Sequence, residues 1–352
     1  MTIFYFALIL GFSFSLLARI LKRENGRPSL FFSILVILML ALISGLRNGI
    51  GDTDMYVHLY DLIGPGYDSK GGYEPGFVLF LAGLKKISDD SQFMIFVTGM
   101  VMTILNLWII RKYSDCFELS VFMYIASGFY LVTMNGMRQC LAASILFTAT
   151  TFIINKKFIL YLVIVVLMTT VHSSAIVMIP LYFIARMEPW SKNIYKVLVL
   201  FIIGMIFYDP LMQIVGSVSD KADTYVNNFN EGGANILRVA IYAVPVFFSY
   251  IKREEIKRVW PNSRVFINIS LVNLLIMVFS LYNWIFARFN IYTQVYTFVL
   301  LPTVILKCFY GKEKRLIYYG LLICYFIFFI FEYQISMGVV YTSDFTVKGF
   351  LY

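Results

Sequence analysis

Apolar residues in this chain come in long continuous runs, not in alternation. The runs lie at roughly 2–21, 30–46, 89–110, 118–134, 139–154, 158–172, 173–187, 193–208, 236–252, 265–281, 290–307 and 316–332. A helix needs about 20 apolar residues, rising 1.5 Å each, to cross about 30 Å of hydrocarbon. The pattern predicts an all-α, polytopic integral membrane protein of about 12 transmembrane helices. A transmembrane β-barrel would show alternating segments of about ten residues instead.

Two of these stretches are interrupted. Residues 118–154 are nearly apolar except at Asn135-Gly136-Met137-Arg138-Gln139, and residues 158–187 except at His172-Ser173-Ser174. Reading either stretch as one span would reverse every later loop and place the basic cluster 252–264 outside. Each is therefore read as two short spans. A span of about 15 residues reaches only about 22 Å. The polar turns then sit below the outer surface, in protein or in a wet cavity, where irregular backbone is tolerated.

The chain reads as a single transmembrane domain, 1–352, with outer loops 47–88 and 209–235 and an outer C-terminal tail 333–352. The segment Pro75 to Ile87 is too short to span. It reads as an interfacial or re-entrant helix with proline in its first turn. Pro180, Pro245 and Pro302 fall inside apolar runs and are expected to kink them.

Composition agrees with this picture: 60% of residues are hydrophobic and 14% charged, and mean hydropathy is +0.79. Soluble domains carry about one quarter charged residues. The net charge of +9 would suit nucleic acid if it were spread evenly. It is not, because 20 of the 29 basic residues fall in the inner loops near 19–27, 111–112, 156–157, 186–196, 252–264 and 307–315. This is the positive-inside asymmetry. It puts both termini outside and needs no nucleic-acid partner. No basic residue precedes the first apolar run, which argues against a cleaved signal peptide. Cys116, Cys140, Cys308 and Cys324 show neither an exposed pairing nor a metal-ligand spacing.

The same topology gathers the unusual polar residues at the outer end: Arg47, Asp52, Asp54, Glu74, Asn135, Arg138, Gln139, His172, Arg288 and Asn290. The inner loops are expected to carry only flanking charge. Ionisable residues at membrane depth are costly, and most are functional or paired. Arg47, Arg138 and Arg288 suit a phosphate at the headgroup boundary, because guanidinium binds phosphate in bidentate fashion. The bland alternative pairs them with the nearby carboxylates.

Asp52-Thr53-Asp54 fits a D-x-D metal-binding pattern, a helix-capping turn, or a site holding one general base. A divalent metal is not favoured, since nucleotide sugars are cytoplasmic and this segment is outside. Glu74 rivals Asp54 as the base. His172 either serves acid–base chemistry or donates to a backbone carbonyl. Tyr56, Tyr60, Tyr67 and Tyr73 are placed to stack on sugars or to anchor the interface.

Six blocks carry a resemblance: SGLRNGIGDTDMY at 44–56, YEPGF at 73–77, ELSVFMY at 118–124, MNGMRQ at 134–139, HSSAIVMIP at 172–180 and IFARFNIY at 285–292. Together they resemble the EpsG family of exopolysaccharide and capsule biosynthesis proteins, polymerases of the Wzy type. The family's GLR-x-x-x-G-T-D stands here with Asp52 inserted, so its aspartate corresponds to Asp54. The resemblance implies a bacterial cytoplasmic membrane enzyme that joins repeat units carried on polyprenyl pyrophosphate. It implies a donor and an acceptor glycolipid, no resident cofactor, and a flippase and a chain-length regulator as pathway neighbours. On this reading Asp54, Glu74 and His172 are the catalytic candidates, and Arg47, Arg138 and Arg288 bind pyrophosphate. Asp52, Tyr56, Asn135, Gln139, Asn290 and Tyr292 contact substrate. The alternatives are a flippase of the same pathway, which should show polar groups on both sides and two similar halves, and an outer acyltransferase.

Overall fold

The computed structural model describes residues 1–22, 26–64, 72–207 and 233–343. Most of the expected loop 209–235, the end of the tail at 344–352 and Tyr67 lie outside the described residues. Among the described residues there is no strand.

Helices α1 (Thr2–Ile20), α2 (Leu30–Gly45) and α5 (Ser91–Tyr113) come first, with α3 (Thr53–Leu62) and α4 (Pro75–Lys85) in the connection before α5. Pro75 occupies the first turn of α4, where its missing N–H is no loss. Asp90 caps α5 through its carboxylate, 2.9 Å from the Gln92 amide. The first interrupted stretch gives α6 (Phe117–Ala126), α7 (Phe129–Asn135), α8 (Met137–Thr148) and α9 (Thr150–Ile154). The second gives α10 (Phe158–Thr169), a 3₁₀ turn (Ser173–Val177) and α11 (Met178–Arg186). After these come α12 (Lys192–Ile206), α13 (Ile236–Ile251), α14 (Arg253–Val259) and α15 (Ser263–Phe279). A 3₁₀ helix (Trp284–Tyr292) then leads into α16 (Gln294–Cys308) and α17 (Gly311–Ile330), which continues as a π turn (Phe331–Ser336).

The expected runs are helical, but several are broken. The run 118–134 bends by 55° between α6 and α7, where Gly128 takes φ +79°. The run 290–307 begins inside the 3₁₀ helix and turns by 63° into α16. Among the described residues, three helices are long and apolar enough to cross a membrane: Thr2–Ile20, Ser91–Tyr113 and Gly311–Ser336. The number rises to five if each bent pair is one span. The shorter apolar helices include α2, α4, α10, α13 and α15.

The core joins α1, α2, α5 and α6 on one side to α8, α15, α16 and α17 on the other. Large apolar side chains also point outward, among them Ile9, Ile159, Leu200, Ile206 and Leu316, all at least 60% exposed. So much apolar surface suits lipid, not water.

Two contacts hold the end of α2. A Cβ built on Gly99 would sit 2.9 Å from Ser44 Oγ and 3.0 Å from the Ser44 backbone, so glycine lets α5 approach α2. Arg47 has no exposed surface; it donates to the Ser44 carbonyl and, at 2.8 Å, to the Met134 carbonyl. It thus joins the end of α2 to the break between α7 and α8. Gly99→Val should lower the thermal midpoint in detergent, overpacking costing about 1–3 kcal/mol. Gly83→Ala, with nothing within 4 Å, should leave the midpoint unchanged or higher. Arg47→Ala should destabilise by on the order of 2–5 kcal/mol, because two buried carbonyls lose their donor. Thermal melts of the variants check these outcomes.

Candidate active site

Glu74 ends the loop before α4 and sits at its N-cap position. Its carboxylate turns inward and is only 16% exposed. Oε2 accepts from Arg138 Nη1 at 2.6 Å. Oε1 accepts from the Ser173 amide at 3.1 Å and the Ser173 hydroxyl at 3.3 Å, and lies 3.1 Å from His172 Nδ1. Three segments distant in sequence therefore meet on one carboxylate. Gly76 allows the approach: its amide donates to the Thr170 carbonyl at 2.7 Å, and a Cβ there would fall 2.2 Å from Thr170 Oγ1.

Burial alone would raise the Glu74 carboxyl. The Ser173 amide, its own amide, Arg138 and His172 outweigh burial and hold it below the ordinary carboxylate value. His172 stands in the turn after α10. Burial lowers its imidazole below the ordinary value; the Glu74 carboxylate opposes this, while Arg138 and Arg288 add to it. A neutral His172 that donates from Nδ1 to Glu74 leaves Nε2 as the acceptor.

His172 lines a cavity of about 320 Å³ together with Asp52, Tyr56, Asn135, Arg138, Gln139, Arg288 and Asn290. The opening segment of this wall is clamped. The Asp52 amide donates to Asn135 Oδ1 at 2.8 Å, and Gly51, at φ +58°, passes so close that a Cβ would meet that oxygen at 2.1 Å. The Arg138 guanidinium lies 4.9 Å from the Tyr73 ring centroid and beside the Tyr56 hydroxyl, and its Nε is buried without a hydrogen-bond partner. Arg288 stands over the Trp284 ring at 5.1 Å, and no carboxylate among the described residues pairs with it. Gln139 Nε2 donates to the Arg288 carbonyl at 2.9 Å. Asn290 donates to Gln294 at 3.3 Å. Tyr292 is buried behind the wall, its hydroxyl 3.0 Å from that of Ser174.

Other expected residues lie apart from this cavity. Arg47 is enclosed in the protein, as described. Asp54 is exposed in the first turn of α3 and lines a separate cavity of about 350 Å³ with Gly49, Gly51 and residues 337–340. Asp52 and Asp54 thus open into different cavities, a poor arrangement for one chelated cation. Among the described residues, no group of three or more His, Cys, Asp or Glu is placed to hold a metal. Tyr60 is buried and donates to the Ser88 carbonyl at 2.7 Å, so it presents no face to a sugar.

Two buried ion pairs lay beyond the sequence reasoning. Arg238, in the first turn of α13, grips Glu332 with two bonds of 2.7 and 2.8 Å. Both line the same cavity. Glu332 is 2% exposed and sits in the π turn that ends α17, packed against Gly128. A single carboxylate inside the last apolar run was the available signal. The second pair corrects the expectation that the opposite end carries only flanking charge. There Arg19 pairs at 2.6 Å with Glu118, which has no exposed surface and also accepts from Tyr318 at 3.1 Å and Cys116 at 3.2 Å.

The 3₁₀ helix Trp284–Tyr292 has two faces. Ala287, Arg288, Asn290 and Ile291 face the polar cavity. Phe286 and Phe289 face an apolar groove of about 320 Å³, completed by Val177, Leu181, Phe201 and Ile276.

Comparison with known proteins agrees with the blocks that build this cavity. The chain is 26% identical over 281 residues to the amylovoran biosynthesis protein AmsC of Erwinia amylovora, covering 71% of this chain and 72% of that protein. No solved structure matches it significantly. The model of the EpsG family matches residues 30–343, which span every segment of the cavity wall, and the chain belongs to the EpsG family.

Proposed function

We propose that this chain is a membrane glycosyltransferase that polymerises polyprenyl-pyrophosphate-linked oligosaccharide repeat units into exopolysaccharide or capsule. The carrying observation is the Glu74–Arg138–His172 node, which opens onto a cavity that also holds Arg288. Membership of the EpsG family and the likeness to an amylovoran biosynthesis protein support the same pathway. We place the cavity at the outer face of the bacterial cytoplasmic membrane, with about 12 short and long helices crossing and both termini outside.

In the proposed reaction, a hydroxyl of the acceptor repeat unit attacks the anomeric carbon of the donor glycan. The new C–O bond forms as the bond to the donor's pyrophosphate breaks. His172 Nε2 takes the hydroxyl proton, and Glu74 holds the ring and stabilises the imidazolium that forms. The leaving pyrophosphate keeps the bonding electrons. Arg138 and Arg288 bind its oxygens, Arg138 with an N–H that now lacks a partner. Asp52, Tyr56, Asn135, Gln139 and Asn290 bound the space for the sugars. Asp54 belongs to the neighbouring cavity, and the base is assigned to His172 instead. The reaction needs no resident metal, so a chelator should leave it unchanged. A flippase and a chain-length regulator of the pathway are its expected neighbours.

A lipid-linked oligosaccharide flippase is the second reading, favoured by the buried Arg19–Glu118 pair at the opposite end. Against it, Tyr124, Phe129 and Phe298 pack edge to face within the bundle, at 2% exposure or less, on the helices joining the two ends.

Purified protein with synthetic lipid-pyrophosphate repeat units should give a product ladder without nucleotide sugar. His172→Gln and Arg138→Ala should each cut the rate by about a hundredfold or more, while Asp54→Asn stays near wild type. A normal ladder from His172→Gln would remove the base assignment, and transport without any ladder would favour the flippase. The pH profile gives a second check. His172 accepts a proton only when neutral, so activity is present above its pKa and lost as pH falls through it. Because that pKa is lowered from 6.5, the acid limb of kcat/KM should lie below pH 6.5 and disappear in His172→Gln.

A further inference from the structure

We propose that the end of the bundle opposite the candidate active site binds the phosphate headgroup of an anionic phospholipid. The distance is set by α17, which carries Glu332 in its terminal π turn and Lys314 near its start. Eighteen residues of helix separate them by about 27 Å, close to one hydrocarbon thickness.

At that far end a cavity of about 380 Å³ is lined by Arg19, Lys314, Arg315 and Tyr318, with Ile305 and Leu306 forming an apolar wall. Arg19 is fixed from behind. Its Nε meets the fully buried Glu118 carboxylate at 2.6 Å, which also accepts from Tyr318 at 3.1 Å. Glu118 has no exposed surface, so a ligand meets the cations and not the carboxylate. Lys314 Nζ donates to the Leu306 carbonyl at 3.0 Å, which holds its ammonium at the rim with donors to spare. Arg315 is exposed and has no carboxylate partner among the described residues. Three cations facing one cavity, with a single carboxylate behind them, leave net positive charge for an anion. Guanidinium and ammonium groups arranged this way suit phosphate oxygens.

The neighbouring surface identifies the source of that phosphate. Leu316, Tyr319, Ile323 and Ile327 stand on one face of α17 at helical spacing and are 76, 61, 61 and 60% exposed. The strip runs from the mouth of the cavity along the helix, where acyl chains attached to the headgroup would lie. A second basic cavity at the same end lacks this character. Its Lys257 pairs with Glu188 at 2.8 Å and its Arg253 with Glu254 at 3.6 Å, so two carboxylates answer two of its three cations and only Arg264 is left over.

The full chain in neutral detergent is titrated with phosphatidylglycerol, phosphatidylcholine and glycerol phosphate, and bound ligand is counted by native mass spectrometry. Wild type should prefer phosphatidylglycerol over phosphatidylcholine by about tenfold or more, and Lys314→Gln/Arg315→Gln should lose that preference. Arg315→Gln alone, at an exposed position, should fold normally and lose about fivefold. Lys257→Gln/Arg264→Gln, in the second basic cavity, should keep the wild-type preference. The proposal is overturned by equal binding of the two lipids, by an unchanged Arg315→Gln variant, or by equal losses in the control. Glycerol phosphate binding as tightly as phosphatidylglycerol would replace the lipid with a soluble phosphate ligand.

Discussion

One carboxylate ties together the segments that build the candidate active site. Glu74 sits largely away from solvent and would be costly to leave ionised without partners. It is satisfied from two directions, by a guanidinium on α8 and by the imidazole, amide and hydroxyl that follow α10. Each partner depends on a backbone break, at Gly136 between α7 and α8 and at 170–172 between α10 and the 3₁₀ turn. The breaks leave polar backbone groups inside the bundle, and the carboxylate gives those segments a common point of attachment. Gly76 follows from the same constraint, since a side chain there would push α4 off Thr170 and carry Glu74 with it.

Much of this arrangement was readable in the chain. The distribution of basic residues puts the polar interruptions at 135–139 and 172–174 at one end of the bundle, and in the fold Arg138 and His172 line one cavity. Asp52, Asn135, Arg138, Gln139, His172, Arg288 and Asn290 share one cavity. Arg47 was harder to read. A lone arginine after an apolar run looks the same whether it faces a ligand or closes two helix ends, and only the fold shows that it meets two carbonyls. Asp52 and Asp54 were misleading as a pair. Spacing of two residues looks convergent in an extended turn, but a helix starts between them and directs the second carboxylate elsewhere. The Arg238–Glu332 and Arg19–Glu118 pairs span 94 and 99 positions; a carboxylate in an apolar run marks Glu332 as unusual, but nothing local says which cation it meets.

The two ends of the bundle differ in kind. One is built from broken helices, a 3₁₀ helix and a π turn, and it concentrates donors whose partners lie across the chain. The other is built where helices begin or finish, and its polar groups are joined by the single buried Glu118. Irregular backbone permits close placement of many different side chains, which a regular helix face does not. That difference is the structural reason to assign chemistry to the first end and recognition to the second.

The helix Trp284–Tyr292 separates a polar cavity from an apolar groove by the width of one 3₁₀ helix. An amphiphile held across it keeps its head in place while its tail stays in contact with the bilayer. On the proposed reading, spent carrier then leaves sideways, never through water. On that reading, the exchange of spent carrier for fresh donor is movement within the plane of the bilayer.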